Sequence, residues 1–298
     1  MRRAFRVFGD ATERQLAPGG GGLENEGVRA LALTLSVALL GGGCVQLGVV
    51  SDGTTVSWGP ANQGALLAGA RLPLAGEGFV VHPTWAARGT QWGVDELIAV
   101  VAWTARGVAR THPGSELAVG DLSIAGGGRS AHHRSHQTGR DVDLVLFGRK
   151  DGQPLPATAM LPFDDDGVLV GDPTVAFDVE RNWTLVRGLL TAPGPGVANI
   201  FLYAPLRDLL LDHARARGEP AALIDLAGAT ITQPSDSARH DDHLHVRIYC
   251  PRGEPTCRDY ALRPVAKKPP LVGAFAAIAA VVGRRPVTGG LLRARPRW

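Results

Sequence analysis

The chain has 298 residues, of which 45% are hydrophobic and 20% charged, and this composition fits a folded globular protein with a sizeable core. The net charge of +3 is unevenly spread, because residues 263–298 hold eight Arg and Lys and no acid, which leaves −5 for the rest of the chain. No base-reading or phosphate-cradling motif accompanies the basic tail, so nucleic acid is not an expected partner.

The first 44 residues predict a leader rather than part of a fold. Arg29 precedes an apolar run at residues 30–40, and three glycines and Cys44 follow. A short positive region, a short apolar core and small residues are typical of an export signal, and the run is too short to span a membrane. The site before Cys44 is similar to a lipoprotein cleavage site, although Gly41 stands where an aliphatic residue is usual. We expect lipidation of Cys44 and a true start near Val28; a buried apolar segment is the alternative.

Residues 45–262 predict one α+β domain with a central, mostly antiparallel sheet flanked by helices. Residues 45–93 and 148–176 are interpreted as loops, with one strand near residues 78–81. The spacing of apolar residues, with Pro and Gly at the ends, predicts the remaining elements. Helices are expected at residues 94–110, 178–190 and 205–217, and strands at 117–119, 141–147, 197–203, 223–231 and 243–249.

The tail at residues 263–298 is basic and Pro-rich. Its apolar run at residues 271–283 is too short to cross a bilayer as a helix. Two interpretations stay open: a linker with a patch for anionic surfaces, or disorder.

The three cysteines form an odd set. Cys250 and Cys257 lie close together and could close a short loop, whereas Cys44 is distant. An oxidising compartment would make the pair a disulfide and leave Cys44 for lipidation. Three reduced, buried thiols are the alternative.

Six of the nine histidines lie in two dense clusters, which is unusual for core packing. His243 and His245 are two apart, so on a strand they point to one face, as do Asp141 and Asp143. The six are His132, His133, His136, His240, His243 and His245.

Two imidazoles and one carboxylate make a catalytic type of zinc site, in which water takes the fourth position. The sequence therefore predicts one catalytic Zn²⁺ on the sheet. Arg129, beside a glycine-rich loop, could pair with a substrate carboxylate. Asp242 or Asp141 could orient a ligand imidazole from behind.

The motifs Ser-His-Gln-Thr-Gly-Arg-Asp-Val-Asp at residues 135–143 and His-Asp-Asp-His-Leu-His-Val-Arg at 240–247 resemble those of the penicillin-insensitive murein endopeptidases. Cys250-Pro251 and Cys257, Gly120-Asp121 and Gly127-Gly128-Arg129 are similar too. This family lies within the wider group of lysostaphin-type and D-Ala-D-Ala metallopeptidases. The resemblance covers roughly residues 75–260. It implies a periplasmic enzyme that acts on peptidoglycan and cleaves D-alanyl-diaminopimelate cross-links.

Carried over position by position, the resemblance implies a set of site residues. The zinc ligands are His136, Asp143 and His245, and the catalytic histidine is His243. His133 and His240 match further active-site histidines, and Cys250 and Cys257 match one family disulfide. The chain lacks the cysteines for the other disulfides of the family and has a longer basic tail.

Three other functions remain as alternatives. The first is a D,D-carboxypeptidase or dipeptidase on the same scaffold, which would give more weight to Arg129. The second is a non-catalytic module that keeps the zinc site and binds cell wall or a partner. The third is a histidine-rich storage or sensor protein, which would not need Asp143 or the glycine-rich loop.

Overall fold

A computed structural model describes residues 53–260, and this part of the chain has the predicted α+β class. Its helices are α1 (Pro83–Ala86), α2 (Asp95–Thr111), α3 (Val179–Thr191), α4 (Ala204–Ala216) and α5 (Ala221–Thr230). Its strands are β1 (Val56–Trp58), β2 (Ala65–Leu67), β3 (Ala70–Arg71), β4 (Ala75–Gly76), β5 (Phe79–Val81), β6 (Trp92–Gly93), β7 (Leu117–Val119), β8 (Asp141–Val145), β9 (Gly148–Lys150), β10 (Gln153–Pro154), β11 (Val168–Leu169), β12 (Asp172–Phe177), β13 (Val197–Phe201), β14 (Ile231–Thr232) and β15 (His243–Ile248).

The predicted leader with Cys44 and the tail at residues 263–298 lie outside the described residues. Both assignments therefore stay predictions. Between residues 53 and 260, none of the helices has the length and apolar character that a membrane crossing requires.

The central sheet has seven strands in the order β14-β13-β15-β8-β7-β5-β4, and it is mixed, so the prediction of a mostly antiparallel sheet was wrong. β5 pairs with β7, and β13 with β14, in parallel. The reason is that helices connect these neighbours. α2 lies between β5 and β7 in sequence, and α4 and α5 lie between β13 and β14, and a crossover of this kind returns the chain in the same direction.

The middle of the sheet is the antiparallel pair β8 and β15. Val142, Leu144, Leu244 and Val246 alternate along the two strands and are buried in the core. Because side chains alternate, Asp141, Asp143, His243, His245 and Arg247 must share the opposite face. These five polar side chains on one face of the central strand pair mark that face as the place of a functional site.

α2 and α3 pack against each other. In α2, Leu97, Ile98 and Val101 are buried, and Asp95 and Glu96 in the first turn complement the helix dipole. Gly188 of α3 lies so close that an added Cβ would be 3.0 Å from Thr104 Cγ2 of α2. A larger residue at that position would push the two helices apart.

The prediction of a strand at residues 223–231 was wrong, because helix α5 occupies most of this stretch and only its end joins β14. Pro220 precedes the helix, and Leu223 and Ala227, four residues apart, are buried on one side of it. The segment is apolar nearly all round, so its sequence has no amphipathic period to distinguish a helix from a strand.

Residues 148–176 were predicted to be loops, but they also form a second, four-stranded antiparallel sheet in the order β10-β9-β12-β11. A turn within this segment is closed by Asp164 Oδ1, which accepts hydrogen bonds from the backbone N–H groups of Asp166 and Val168. The Phe163 N–H donates to the Asp241 carbonyl at 2.9 Å, so residues 148–176 contact the segment that carries the second histidine cluster.

The β1–β2 hairpin is fastened to the C-terminal loop of the described chain. Cys250 and Cys257 form a disulfide there, as the resemblance implied. The Gly59 N–H donates to the Thr256 carbonyl at 2.9 Å. The fully buried Arg140 donates to Ser57 Oγ at 3.1 Å and to Asp259 Oδ1 at 2.8 Å.

Candidate metal centre

Three side-chain atoms converge at one point on the polar face of β8 and β15. His136 Nε2 lies 3.2 Å from His245 Nδ1 and 3.3 Å from Asp143 Oδ1, and His245 Nδ1 lies 3.4 Å from the same carboxylate oxygen. Register places His245 directly opposite Asp143, and the loop before β8 supplies His136. The three predicted ligands are therefore brought together.

The outer hydrogen-bond partners of the two imidazoles favour the tautomers that present lone pairs at this point. His136 Nδ1 lies 3.1 Å from the Leu122 carbonyl, and His245 Nε2 lies 2.9 Å from Asp141 Oδ1. Carbonyl and carboxylate oxygens only accept, so these ring nitrogens carry the protons. In its neutral form, each ring then presents its other nitrogen, with a lone pair, to the convergence point.

Asp143 Oδ1 is buried, and no residue between 53 and 260 donates a hydrogen bond to it. An unpaired carboxylate oxygen facing two imidazole lone pairs is unfavourable unless a cation lies among them. Donors about 2.0–2.1 Å from a tetrahedral zinc ion would lie about 3.3 Å apart. The three atoms therefore fit a small tetrahedral metal ion.

The charges around Asp143 favour its ionised form. Burial raises the pKa of the Asp143 carboxyl, but His136 and His243 outweigh that effect and hold it well below its usual range. Burial lowers the pKa of His136, and the charge of Asp143 more than compensates and raises it. For His245, burial dominates and lowers the pKa.

His133 extends the cluster on the side that faces solvent. His133, His136 and Asp143 offer ligand atoms that all lie within 4.8 Å of one another. However, His133 Nε2 already lies 2.8 Å from Asp121 Oδ2 and 3.6 Å from Asp143 Oδ2. Its contact with Asp121 leaves His133 less well placed as a ligand than His245.

His243 also faces the convergence point. Its Nε2 lies 3.6 Å from Asp143 Oδ1, and its Nδ1 lies 2.5 Å from Asp242 Oδ1. Burial lowers the pKa of His243, but the charge of Asp143 and the hydrogen bond with Asp242 outweigh this effect and raise it. His243 is 19% exposed at its side chain, so it lines the open side of the site.

His240 lies behind His243, with their ring centroids 5.3 Å apart. Burial and the charges of His243 and His245 lower the pKa of His240 to about 4. Its Nδ1 is buried without a hydrogen-bond partner. His240 is therefore a neutral imidazole beside the site.

Arg129 and His132 belong to the exposed loop that carries His133. Between residues 53 and 260, no hydrogen bond or ion pair involves the Arg129 side chain. Arg129 is therefore exposed and not among the converging atoms. The other five clustered histidines have ring centroids within 6 Å of one another in a chain. The ring centroid of His132 lies further out, 6.5 Å from that of His133.

Glycines let the backbone pass close to the site. Gly120 donates its N–H to the Asp143 carbonyl at 2.8 Å, and an added Cβ would lie 3.3 Å from Asp143 Cβ. Gly127 has a φ of +65°, and a Cβ there would overlap the Gln137 carbonyl and the Leu66 N–H. These glycines allow close approach to the chain's own backbone.

Several residues of the site were not predicted as such. Asp121, which was noted only as part of a motif, is buried and accepts from Arg88 at 2.5 Å and from Thr90 Oγ1 at 2.5 Å, besides its contact with His133. Ser123 Oγ donates to the His136 carbonyl at 2.6 Å and accepts from the Gly139 N–H at 2.9 Å. Both residues lie upstream of the histidine motif, and neither has a spacing that signals these contacts.

Three donors on an open sheet face, with two further imidazoles on the solvent side, have the arrangement of a catalytic metal centre. A family model for penicillin-insensitive murein endopeptidase matches residues 57–268. The chain belongs to this family, as the two motifs indicated.

Curated proteins of the same description are similar over most of the chain. The one from Haemophilus influenzae is 30% identical over 218 residues, which cover 70% of this chain and 69% of the relative. One from Escherichia coli O1:K1 / APEC is 28% identical over 218 residues, covering 71% and 73%. Both are named penicillin-insensitive murein endopeptidase.

Proposed function

We propose that this protein is a zinc-dependent murein endopeptidase that hydrolyses D-alanyl-diaminopimelate cross-links of peptidoglycan. Family membership supports the reaction class and the substrate. The observation that carries the metal assignment is the triangle of His136 Nε2, His245 Nδ1 and the buried Asp143 Oδ1, 3.2–3.4 Å on each side.

His136, Asp143 and His245 would hold one zinc ion. When bound, zinc lowers the pKa of its water and polarises the scissile carbonyl. The protein's own contribution is to fix the donor geometry. The Leu122 carbonyl and Asp141 hold the two ligand rings in the orientation that exposes the correct nitrogen.

His243 is the proposed catalytic residue. Asp242 holds its Nδ1, so its Nε2 is free to face the reacting groups beside Asp143. In this position the imidazole can take a proton from the attacking water or, when protonated, stabilise the developing oxyanion. The raised pKa of His243 favours the protonated form, in which it donates.

His240 and His133 are proposed active-site residues with supporting roles. His240 is neutral and packs against His243, so it limits how the His243 ring can turn. His133 is held by Asp121 at the open side, where its ring packs 4.2 Å from that of His136. Both side chains narrow the space that a peptide can enter.

Arg129 is the proposed contact for a substrate carboxylate. Its exposure leaves the guanidinium available for a bidentate interaction. A carboxylate lies next to the scissile amide in the diaminopimelate half of a cross-link and in a D-Ala-D-Ala terminus. Arg129 therefore does not separate an endopeptidase from a D,D-carboxypeptidase.

The test is to incubate the purified protein with a defined cross-linked muropeptide dimer, with and without a zinc chelator, and to weigh the products. Two monomers, lost with chelator and restored by zinc, are the expected result. Loss of only a terminal D-alanine would show a carboxypeptidase. An intact dimer with zinc bound to the protein would indicate a binding module.

We also propose that the protein works in the periplasm, anchored through a lipid on Cys44. The substrate of the family and the cysteine after the apolar run support this proposal. A Cys44→Ala variant should leave the membrane fraction for the soluble periplasmic fraction. If the variant fractionates like the unmodified protein, the lipid anchor is wrong.

A further inference from the structure

Asp141 stands directly behind the ligand His245 and depends on a single charged neighbour. It is fully buried, and one oxygen, Oδ1, serves both His245 Nε2 at 2.9 Å and Arg247 Nε at 2.6 Å. The other oxygen, Oδ2, is buried without a partner. Arg247 is therefore the only cation in hydrogen-bonding contact with this carboxylate in the described chain.

Arg247 is held in place from both sides. Register places it opposite Asp141 on β8 and opposite Asn199 on β13. Its guanidinium carbon lies 5.7 Å from the ring centroid of Phe201 and 5.9 Å from that of Tyr260. The guanidinium thus lies within cation–π distance of two aromatic rings, and its Nε donates to Asp141 Oδ1.

Phe201 gives Arg247 a second connection to the same ligand. The Phe201 ring packs against His245 with centroids 5.1 Å apart and planes at 42°. The Phe201 ring that contacts His245 therefore also contacts Arg247. The carboxylate that pairs with His245 Nε2 is likewise bound by Arg247. A displacement of Arg247 would loosen both contacts together.

We propose that Arg247 is a positioning residue for His245, acting through Asp141 and Phe201 to aim the His245 Nδ1 lone pair at the metal. The proposal rests on the proposed ligation by His245. Without Arg247, Asp141 would be a buried carboxylate with one imidazole contact, and it would rearrange to reach another donor. The His245 ring would then turn about its side-chain bonds, and its nitrogen would no longer be presented at a fixed point.

The first measurement is zinc affinity, obtained by titrating the metal-free protein against a chromophoric chelator. Loss of an outer partner of a ligand typically weakens metal binding about 10- to 100-fold, and we expect a loss of this size in Arg247→Met. The matched control is Arg149→Met, which removes another arginine from a buried carboxylate, Asp178, away from the site. The control should keep zinc affinity within about twofold of the unmodified protein.

The second measurement needs no metal and separates positioning from general stability. The Nε2 proton of His245, bound to a buried carboxylate, should exchange slowly with water and give a resolved proton resonance. The resonance is identified by its absence in His245→Ala. In metal-free Arg247→Met we expect its exchange to be at least about tenfold faster, with the backbone amides of α2 unaffected.

Arg247→Lys guards against a variant that does not fold. Lysine keeps the charge but has neither the planar guanidinium nor a donor in the Nε position, so we expect a zinc affinity about three- to tenfold weaker. Unmodified affinity in Arg247→Lys, or unmodified affinity and proton exchange in Arg247→Met, would overturn the proposal. Muropeptide cleavage by the unmodified protein tests the proposed function separately, and the ring-proton measurement holds even for a protein that binds no zinc.

Discussion

His136, a proposed metal ligand, has a left-handed backbone conformation, with φ at +61°. For a residue with a Cβ this conformation is strained and costs on the order of 1–3 kcal/mol. The neighbouring contacts fix it: Ser123 holds the His136 carbonyl, and the next residue, Gln137, is buried and bonds to Ala61, Asn62 and Arg134. The strained residue is thus the one whose ring nitrogen, Nε2, must point toward Asp143 and His245.

His245→Ala should remove zinc and activity together. The variant deletes one of three donors and leaves His136 and Asp143 with too few partners for a tight site. We expect zinc affinity to fall by more than about 100-fold, beyond the usual cost of losing an outer partner. Chelator competition measures it. His132→Ala removes a clustered but exposed imidazole and should bind zinc normally; a His245→Ala protein that does the same would exclude His245 as a ligand.

His243→Ala should keep the metal and lose rate. His243 lies beside the donors but has its own partner in Asp242, so its removal leaves the three ligands in place. Loss of a general acid or base typically costs about 10²- to 10⁴-fold in rate, which we expect in kcat for muropeptide cleavage. Zinc content, measured on the same preparation, should stay at the level of the unmodified protein. Undiminished kcat would remove His243 from the mechanism.

Residue spacing predicted which side chains share a strand face, whereas the set of ligands came from the family resemblance. Two histidines two apart on a strand must share a face, and so must Asp141 and Asp143, whatever the rest of the fold does. Asp121 and Ser123 lie on a different segment, and only the fold brings them beside His133 and His136. A sequence without the fold carries no local signal for such contacts.

Among the elements, the amphipathic helices and the central strands were predictable, and the connections were not. Helix α2 begins within a residue of its predicted start, because its apolar face and acidic first turn are both local signals. Helix α5 lacks the amphipathic period. Strands β9 to β11 have only two or three residues each, and the six-residue β12 is partly exposed. The parallel pairs depend on which strands become neighbours, which local propensity does not contain.

Helix α3 depends on Asp178 at its N-terminus. The side chain accepts from the Arg181 N–H at 3.2 Å and pairs with Arg181 Nε at 2.8 Å, where Arg181 is 5% exposed at its side chain. Asp178→Ala removes the cap and leaves a buried guanidinium without its carboxylate. We expect a loss of about 3–5 kcal/mol in the free energy of unfolding, measured by urea denaturation. Asp172→Ala, which breaks an exposed pair with Lys150, should change the midpoint little.

The contribution of Asp178 should also depend on pH. Burial raises the pKa of this carboxyl, but hydrogen bonds from Arg149 and Arg181 outweigh burial and lower it below the ordinary value of 3.8. A group with a lowered folded-state pKa stabilises the fold fully above its unfolded-state pKa, and the stabilisation is lost as pH falls through the folded-state pKa. The urea midpoints of the unmodified protein and of Asp178→Ala should therefore converge as the pH is lowered. A constant difference down to the lowest pH would contradict the ion-pair argument.

At the scale of the whole described molecule, the metal site is connected to the loop closed by Cys250 and Cys257. The loop holds the β1–β2 hairpin, where Ser57 donates its N–H to Glu254 at 3.0 Å and Gly59 donates to Thr256. The hairpin turn in turn holds Gln137, whose N–H donates to the Ala61 carbonyl at 3.1 Å. A continuous set of contacts therefore runs from the disulfide to the residue after His136.

Reduction of the disulfide should lower both stability and metal affinity. A loop of this length contributes roughly 2–3 kcal/mol by restricting the unfolded chain, so the double variant Cys250→Ser/Cys257→Ser should unfold at lower urea. If the disulfide acted only through the entropy of the unfolded chain, its removal would leave the folded metal site unchanged. Because the loop also anchors the hairpin beside the strained His136, we expect zinc affinity in the folded double variant to weaken as well, measured by chelator competition well below the unfolding midpoint. Lower stability with unchanged zinc affinity would mean that the disulfide acts only by restricting the unfolded chain. Ser123 and the Gly127 loop would then be sufficient to hold His136 without the hairpin.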